Sequence, residues 1–441
     1  MNSTERVPEI VTPRPASTLI IIRDGKAGVE VLLGEKTSKV NFAAGAFVFP
    51  GGALDESDSG DNFTISGDLG ADKANQILGV SDGGLNYWIA AIRECFEEVG
   101  VLFAIPNRGG MFTETEFAVF ESNERKKLAR GEATFHETLK DAKCSLELEQ
   151  LHYFSRWVTH AGSPRRYDTR FFIARMPQGQ IAQHDGSELI DHRWVKPDDA
   201  LRLNSQGKLN LMFPTQKTLE KLTEFSDVEE ALNYVRNAPP ATPMEPRLTV
   251  GAGGKKLLVP GDFAYAEAGK LDPEQLGTVS REIEAGVVVQ IDKRVSRMTA
   301  ANASIMTGPG TNTYILGDDL NGYLVIDPGP DNARHIELVR DLTSDKVNGI
   351  LCTHTHIDHS PGAAPLSRLT GAPIFGRLAE NMDRQDSSFV PDEELSDGDE
   401  LKFGDLTIDV LHTPGHASNH LCFLFEEARM LFTGDHIMNG S

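Results

Sequence analysis

Apolar residues crowd into short runs near the start of the chain. TLIIIRD at 18–24 and VEVLLG at 29–34 flank a polar DGKAG turn, and AFVFP follows at 46–50. Runs of this length, rich in Ile and Val and broken by Gly, predict a hairpin and a third short strand. From 88 to 99 the spacing becomes helical: Ile92, Cys95, Phe96 and Val99 gather on one side, and Glu94, Glu97 and Glu98 on the other. Helical pattern continues from 113 to 142. RRYDTRFFIARM at 165–176 predicts another strand, and WVKPDDAL at 194–201 a strand entering a helix.

A stretch loaded with Pro and Gly, NAPPATPMEPRLTVGAGGKKLLVPG at 237–261, is not expected to hold compact regular structure. We place a boundary at 268/269, with a tail at 1–12, a first domain at 13–268 and a second at 269–441. Beyond the boundary, strands at 311–316, 323–327 and 347–352 alternate with helices near 331–343 and 361–370, and paired strands follow at 400–411 and 420–433. The alternation predicts an α/β chain without internal repeats. One segment departs from it. Residues 55–85 carry seven acids and one lysine among glycines and serines, which predicts an exposed insertion. Its ends are expected to stay together, since a loop lengthens at modest entropic cost.

The 441 residues suit two large domains or three small ones, and 39% apolar content is enough for sizeable cores. A formal charge of −22 repels phosphate backbones and argues against non-specific nucleic-acid binding. No run approaches the ~20 apolar residues of a membrane span, and MNSTERVPEIVTPRPAS lacks the apolar core of a signal peptide. Four cysteines without CxxC spacing fit a reducing compartment, so a cytoplasmic protein with no membrane partner is expected.

Three carboxylates on one helical face repel one another by a few tenths of a kcal/mol per pair, so they sit in open water or gather around a cation. Here Arg93 precedes them, Val99-Gly100-Val101 follows, and Phe49-Pro50-Gly51-Gly52 stands upstream. The segment resembles the Nudix hydrolase box, Gx5Ex7REUxEExGU with U aliphatic. RECFEEVGV at 93–101 matches its second half apart from Cys95. Gly52 matches the opening glycine, with 27 extra residues before Arg93, and the first glutamate of the box is left unassigned. The resemblance implies an α/β/α sandwich, with Glu94, Glu97 and Glu98 as ligands of Mg²⁺ or Mn²⁺ and Arg93 bracing the loop and helix. KTSKVNFAAGAFVFPGGALD at 36–55 and PRRYDTRFFIA at 164–174 resemble the coenzyme A diphosphatase branch. That implies a small-molecule, nucleoside diphosphate-linked substrate of coenzyme A type. Glu188 resembles the late glutamate that serves some members as a further ligand or base. Arg165, Arg166 and Arg170 are candidates to clamp phosphate. Clustered carboxylates suit phosphoanhydride hydrolysis because a bound cation neutralises phosphate charge and activates water.

The second half holds THTHIDHS at 353–360, directly after the apolar GILC. Imidazoles at alternate positions beside a carboxylate-imidazole pair suit two adjacent transition metals. The pattern resembles the metallo-β-lactamase superfamily, more closely the branch with β-lactamase-like protein 2 and glyoxalase-II-like hydrolases. Asp327 in LVIDPG, His416 in TPGHAS and Asp435 in FTGDH match its further positions. The resemblance implies an αββα sandwich when complete. His354, His356 and His416 would hold one Zn²⁺, Asp358 and His359 a second, and Asp435 both, with Asp358 also catalytic. Such a site hydrolyses an ester, thioester or phosphodiester through metal-bound hydroxide. His335, His412 and His420 fall outside the pattern and are read as structural. The superfamily pattern runs on past FTGD to a last histidine, so with Ser441 closing the sequence we expect a fragment, an incomplete second sandwich and a weaker second zinc. The primary expectation is a bifunctional metal-dependent hydrolase. The alternatives are an endoribonuclease role for the second domain, or one domain acting as an inactive nucleotide-binding regulator.

Overall fold

The computed structural model describes residues 10–38, 44–251, 254–262, 264–280, 282–380 and 385–437. Most of the expected tail at 1–12, part of the 36–55 stretch and a little of the Pro/Gly segment lie outside these residues. Internal contacts divide the chain into two compact units, Met1–Pro246 and Arg247–Ser441.

In the first unit the apolar run at the N-terminus becomes the strand Arg14–Gly25 at the middle of a mixed sheet. It runs parallel to Tyr167–Arg175, with Leu19 opposite Phe172, and antiparallel to Gly28–Lys36, with Ile22 opposite Val31. Leu19, Ile20, Ile21 and Ile22 are all fully buried, so both faces of this strand are covered. Leu19 and Ile21 face the helix Gly84–Val99, whose Trp88, Ile89, Ile92, Phe96 and Val99 complete one core. Side chains alternate along a strand, so Ile20 and Ile22 point to the opposite face. The helix Val228–Asn237 packs against that side of the sheet, and Asp24 accepts a hydrogen bond from the Val228 N–H at its start.

The acidic segment 55–85 corrects the expectation of an exposed insertion. Its helix Ala71–Leu78 packs on Gly84–Val99, and Leu69, Ala74 and Leu78 join the same core. Ala74 and Leu78 are four residues apart and so share one helical face. The acids took attention from a short amphipathic helix. The helical pattern expected over 113–142 takes the form of two helices, Glu114–Ala129 and Phe135–Asp141, each opened by a capping box, at Thr113 and Thr134.

The second unit stacks two sheets. The larger runs through Val288–Asp292, Val295–Thr299, Asn312–Asp318, Gly322–Ile326, Val347–Leu351, Ile374–Gly376 and Glu393–Glu394. Its earlier pairings are antiparallel and those from Gly322–Ile326 onward are parallel. The smaller antiparallel sheet holds Glu400–Phe403, Leu406–His412, Leu421–Phe425 and Met430–Phe432. Leu316, Leu324, Ile326 and Leu351 meet Ile408, Val410, Phe423 and Phe425 between the sheets. The other face of the larger sheet packs against helices Ala333–Leu342 and Ala363–Thr370.

The contacts divide the chain ahead of the expected 268/269. Within the Pro/Gly stretch, Arg247–Thr249 and Lys256–Leu258 form a hairpin. The following helix Tyr265–Leu271 places Glu267 in an ion pair with Arg297 of the larger sheet, which ties this segment to the second unit. Among the described residues no helix is long and apolar enough to cross a membrane.

Candidate active sites

The glutamate helix is held to the sheet through its own acids. A Cβ on Gly52 would fall 2.4 Å from Glu94 Oε1, so any larger residue here would push the Glu94 carboxylate aside. The neighbouring Gly51 N–H donates to Glu98 Oε2 at 3.0 Å. The long spacing in sequence therefore leaves Gly52 and the helix in contact. Glu94, Glu97 and Glu98 line a cleft of about 530 Å³ together with Glu188, His184, Asp185, Arg125 and Lys126. Glu98 is 3% exposed, and its Oε1 has no hydrogen-bond partner among the described residues, with Lys36 Nζ 3.9 Å away.

Burial works against ionisation here. It pushes the Glu97 carboxyl up to about 7, against the Arg93 charge and with the help of Glu94. It pushes Glu98 up to about 8, with Glu94 and Glu188 adding to the rise and Lys36 opposing it. Glu94 is raised for the same first reason. A divalent cation reverses this balance, because its charge favours the ionised form of every carboxylate around it. The unpaired Oε1 of Glu98 and the acids that line one cleft suit such a cation.

Arg93 has a partner that sequence reasoning missed. Its guanidinium forks onto Asp58, Nε to Oδ1 at 2.7 Å and Nη2 to Oδ2 at 3.0 Å, and Nη1 reaches Glu94 at 2.9 Å and Glu97 at 3.1 Å. Asp58 is fully buried. Five residues separate Gly52 from Asp58, which puts Asp58 at the place of the first glutamate of the box with one methylene fewer. The extra residues thus fall between Asp58 and Arg93. The signal was in the sequence, hidden by the shorter acid and by an acid-rich stretch that read as exposed.

Glu188 stands on a tight loop that Asp185 closes by accepting from the N–H groups of Ser187, Glu188 and Leu189. The three arginines need correction, because none of them lines the cleft. Arg166 is buried, bound to Glu245 at 2.7 Å and to the carbonyls of Thr159 and Val11. Arg170 is buried beside Asp168 at 2.5 Å, over the Tyr87 ring. Arg165 is exposed. Ion pairing within the fold took Arg166 and Arg170 inward, the latter from a strand position. The basic residues that do line the cleft are Arg125, whose Nε and Nη2 donate to the Glu97 carbonyl, and Lys126.

In the second unit the end of Val347–Leu351 delivers His354, His356, Asp358 and His359 into one turn. His356 Nδ1 lies 3.0 Å from His354 Nε2 and 2.9 Å from His416 Nε2, so one ligand atom from each of the three rings converges within 4.8 Å. His354, His359 and Asp435 form a second group within the same limit. Asp435 lies between, with Oδ1 3.3 Å from His359 Nε2 and Oδ2 3.4 Å from His416 Nε2. Asp358 Oδ2 is 3.3 Å from His359 Nε2 and accepts from the Thr311 hydroxyl at 2.9 Å. The residues expected at this site are brought together, with His354 at the junction of the two groups.

Asp327 organises the cluster from behind. Its carboxylate faces His359 Nδ1 at 2.9 Å and accepts from the backbone N–H and hydroxyl of Thr353, both at 2.7 Å. Its backbone sits at φ 50°, a left-handed state that Asp tolerates better than most residues. Burial, with nearby His359 and His420, drives the His354 pKa far down and keeps its imidazole neutral, the state that binds metal. Burial alone would lower His359 too, yet Asp327, Asp358 and Asp435 together hold it well above its usual value. Convergent imidazole donors beside two carboxylates fit a transition metal.

Of the histidines read as structural, His335 is buried with Nε2 on the Thr313 hydroxyl, and His412 meets the Ser418 carbonyl. His420 is fully buried against the cluster, its ring 5.1 Å from that of His354 and its Nδ1 on the Thr413 hydroxyl at 2.9 Å.

Comparison with known proteins follows the same division. The NUDT19 Nudix domain family matches residues 71–222, and the metallo-beta-lactamase superfamily matches residues 306–441. The lactamase-like protein aptB of Emericella nidulans is 37% identical over 155 residues, which is 34% of this chain and 48% of that protein. The atrochrysone carboxyl ACP thioesterase of Aspergillus terreus is 32% identical over 154 residues, 34% of this chain and 46% of that protein. The chain thus spans about half the length of these curated relatives. Among solved structures, a Nudix hydrolase from Alicyclobacillus acidocaldarius aligns over 53% of this chain and all of its own, at 25% identity and a TM-score of 0.43.

Proposed function

For a chain that joins a NUDT19-type Nudix domain to a metallo-beta-lactamase superfamily domain, we propose a bifunctional metal-dependent hydrolase. The first half cleaves the phosphoanhydride of a nucleoside diphosphate-linked substrate of coenzyme A type. The second hydrolyses a thioester. The observation that carries the reading is the presence in one chain of a cleft lined by Glu94, Glu97, Glu98 and Glu188, with Glu98 buried, and a three-imidazole cluster.

In the first half Glu94, Glu97, Glu98 and Glu188 hold Mg²⁺ or Mn²⁺, which when bound neutralises phosphate charge and activates water. Arg93 is occupied with Asp58 and keeps the helix and its glutamates in place. Lys126 offers a cationic group at the cleft for a phosphate oxygen.

In the second half His354, His356 and His416 hold one Zn²⁺, and His359 and Asp435 the other, with Asp358 beside them. Bound zinc lowers the pKa of water and polarises a carbonyl. Asp327 accepts from His359 Nδ1–H and so leaves Nε2 turned toward Asp358 and Asp435. Asp358 is placed to receive a proton from the attacking water. Thioester is preferred over RNA because relatives carry ACP thioesterase names and because a charge of −22 repels a polyanion. We place the protein in the cytoplasm, in keeping with four buried free cysteines.

The test is to assay the full chain on coenzyme A, its acyl thioesters, other nucleoside diphosphate derivatives and short RNAs, with Mg²⁺, Mn²⁺ or Zn²⁺. We expect diphosphate cleavage with Mg²⁺ or Mn²⁺ and thioester cleavage with Zn²⁺. Cleavage of RNA in preference to every thioester would overturn the second assignment, and inertness toward every diphosphate the first.

A further inference from the structure

Two histidines outside both metal clusters meet at the edge of the carboxylate cleft. His184 lines that cleft, and its Nδ1 lies 2.7 Å from Nδ1 of His192, with the ring centres 5.0 Å apart. His192 belongs to the strand Leu189–Val195, where it pairs with Gly34, so one ring of the pair is anchored in the sheet. The other is anchored to the glutamate helix. The Gln183 N–H donates to the Val99 carbonyl and the Asp185 N–H to that of Glu98, both at 2.9 Å, and these bonds clamp His184 from either side. The loop is further closed by Asp185, which accepts from three N–H groups at 187–189. Neither histidine has a role in the reading given above.

A contact between two Nδ1 atoms at this distance requires one of them to carry the proton and the other to accept it. Burial holds His192 below its usual pKa and so favours a neutral ring with one proton, which a backbone hydrogen bond with Ala182 can engage. With that proton on Nε2, His192 Nδ1 accepts the Nδ1–H of His184, and His184 Nε2 keeps its lone pair. This is the relation of a general base to the group that orients it.

We propose that His184 is a catalytic residue of the first half, taking a proton from the attacking water while His192 holds its ring. The proposal rests on the phosphoanhydride reading of that half. The water oxygen bonds to phosphorus, and the bond from that phosphorus to the bridging oxygen breaks, its electron pair leaving with the departing phosphate. The water proton passes to His184 Nε2, and His184 becomes an imidazolium. Glu94, Glu97, Glu98 and Glu188 share the cleft with the ring, Lys126 lines it from the neighbouring helix, and Asp191 lies close by on the strand. The carboxylates stabilise that imidazolium and remain free to hold the cation.

The test uses the full chain and a diphosphate it cleaves. His184→Gln should lower kcat by about a hundredfold, the usual scale for a general base, with KM and the Mg²⁺ requirement within about twofold of the parent. His192→Gln should keep more of the rate than His192→Phe, because a glutamine oxygen can still accept the His184 Nδ1–H. Independently of turnover, added Mn²⁺ should broaden the imidazole ¹⁵N signals of His184 and His192, and His192→Phe should change the tautomer signature of His184 in metal-free protein. A parental kcat in His184→Gln, or a His184 ring untouched by Mn²⁺, overturns the role while leaving the phosphoanhydride reading intact. Failure of the full chain to cleave any diphosphate sinks both.

Discussion

In the glutamate cleft burial acts against the charge that the site must carry, whereas in the histidine cluster it favours the state that binds. Glu97 and Glu98 are pushed up to about 7 and about 8 by desolvation, and only a cation makes their ionised forms comfortable. His354 is driven the other way by the same force and is held neutral, ready to ligate. The cluster brings its own countercharge as well, in Asp327, Asp358 and Asp435 around His359. Desolvation has opposite consequences for acids and bases, so a site of carboxylates depends on its metal for charge balance, and a site of imidazoles depends on it for chemistry.

The contrast is most exposed to His354→Ala, which removes the ring common to both ligand groups. Thioester hydrolysis should fall roughly a thousandfold or more, the several kcal/mol that a bound metal supplies, while diphosphate cleavage is unchanged. Elemental analysis should show a loss of bound zinc. Equal loss of both activities would mean that the two sites are not independent.

Next in size is Asp58→Ala. The Arg93–Asp58 pair is buried, with side-chain exposures of 11% and 0%, and removal of one partner strands the other. Unfolding free energy should drop by roughly 3 kcal/mol, read as a lower denaturation midpoint. No change would show that Glu94 and Glu97 suffice to hold Arg93.

Glu98→Gln should reduce diphosphate hydrolysis about a hundredfold, on the order of 2.7 kcal/mol of transition-state stabilisation, with thioester hydrolysis intact. The glutamine oxygen can still accept from Gly51, so the fold should survive.

The smallest effect is a divergence in pH dependence of the metal-free protein. Glu97 and Glu98 hold protons in the fold that the unfolded chain releases near pH 4.3. Their contribution to stability is complete below that pH, declines as pH rises, and is lost above about 7 and about 8. His354, lowered in the fold, contributes above its unfolded value of about 6.5 and loses that contribution as pH falls; His359 works in the opposite sense. Thermal melts from pH 5 to 8.5 should show a loss of stability that Mg²⁺ relieves and that Glu97→Gln with Glu98→Gln removes. A loss that persists in the double variant would place its origin outside the cleft.

The two sites were unequally legible. The imidazoles of THTHIDHS were readable because they crowd together after a strand end, and the resemblance of TPGH and TGD marked His416 and Asp435. The glutamates were readable because helical periodicity puts positions 94, 97 and 98 on one face. Arg166 and Arg170 misled because an arginine beside or within a strand gives no sign of which way it will turn, and both found acids in the fold. The insertion misled because average composition conceals a single helical face, Ala74 with Leu78.

What the sequence determined by itself was local: which residues share a helix face or a strand end, and hence the chemistry of each cluster. Tertiary structure alone decided the partners. Asp58 meets Arg93 across 35 residues, His416 meets His356 across 60, and Gly51 meets Glu98 across 47. Backbone geometry fixes neighbours within a turn or a pleat, whereas distant groups are joined only when packing of the cores brings their elements together. Burial follows from that packing, and with it the opposite shifts of the glutamates and the histidines.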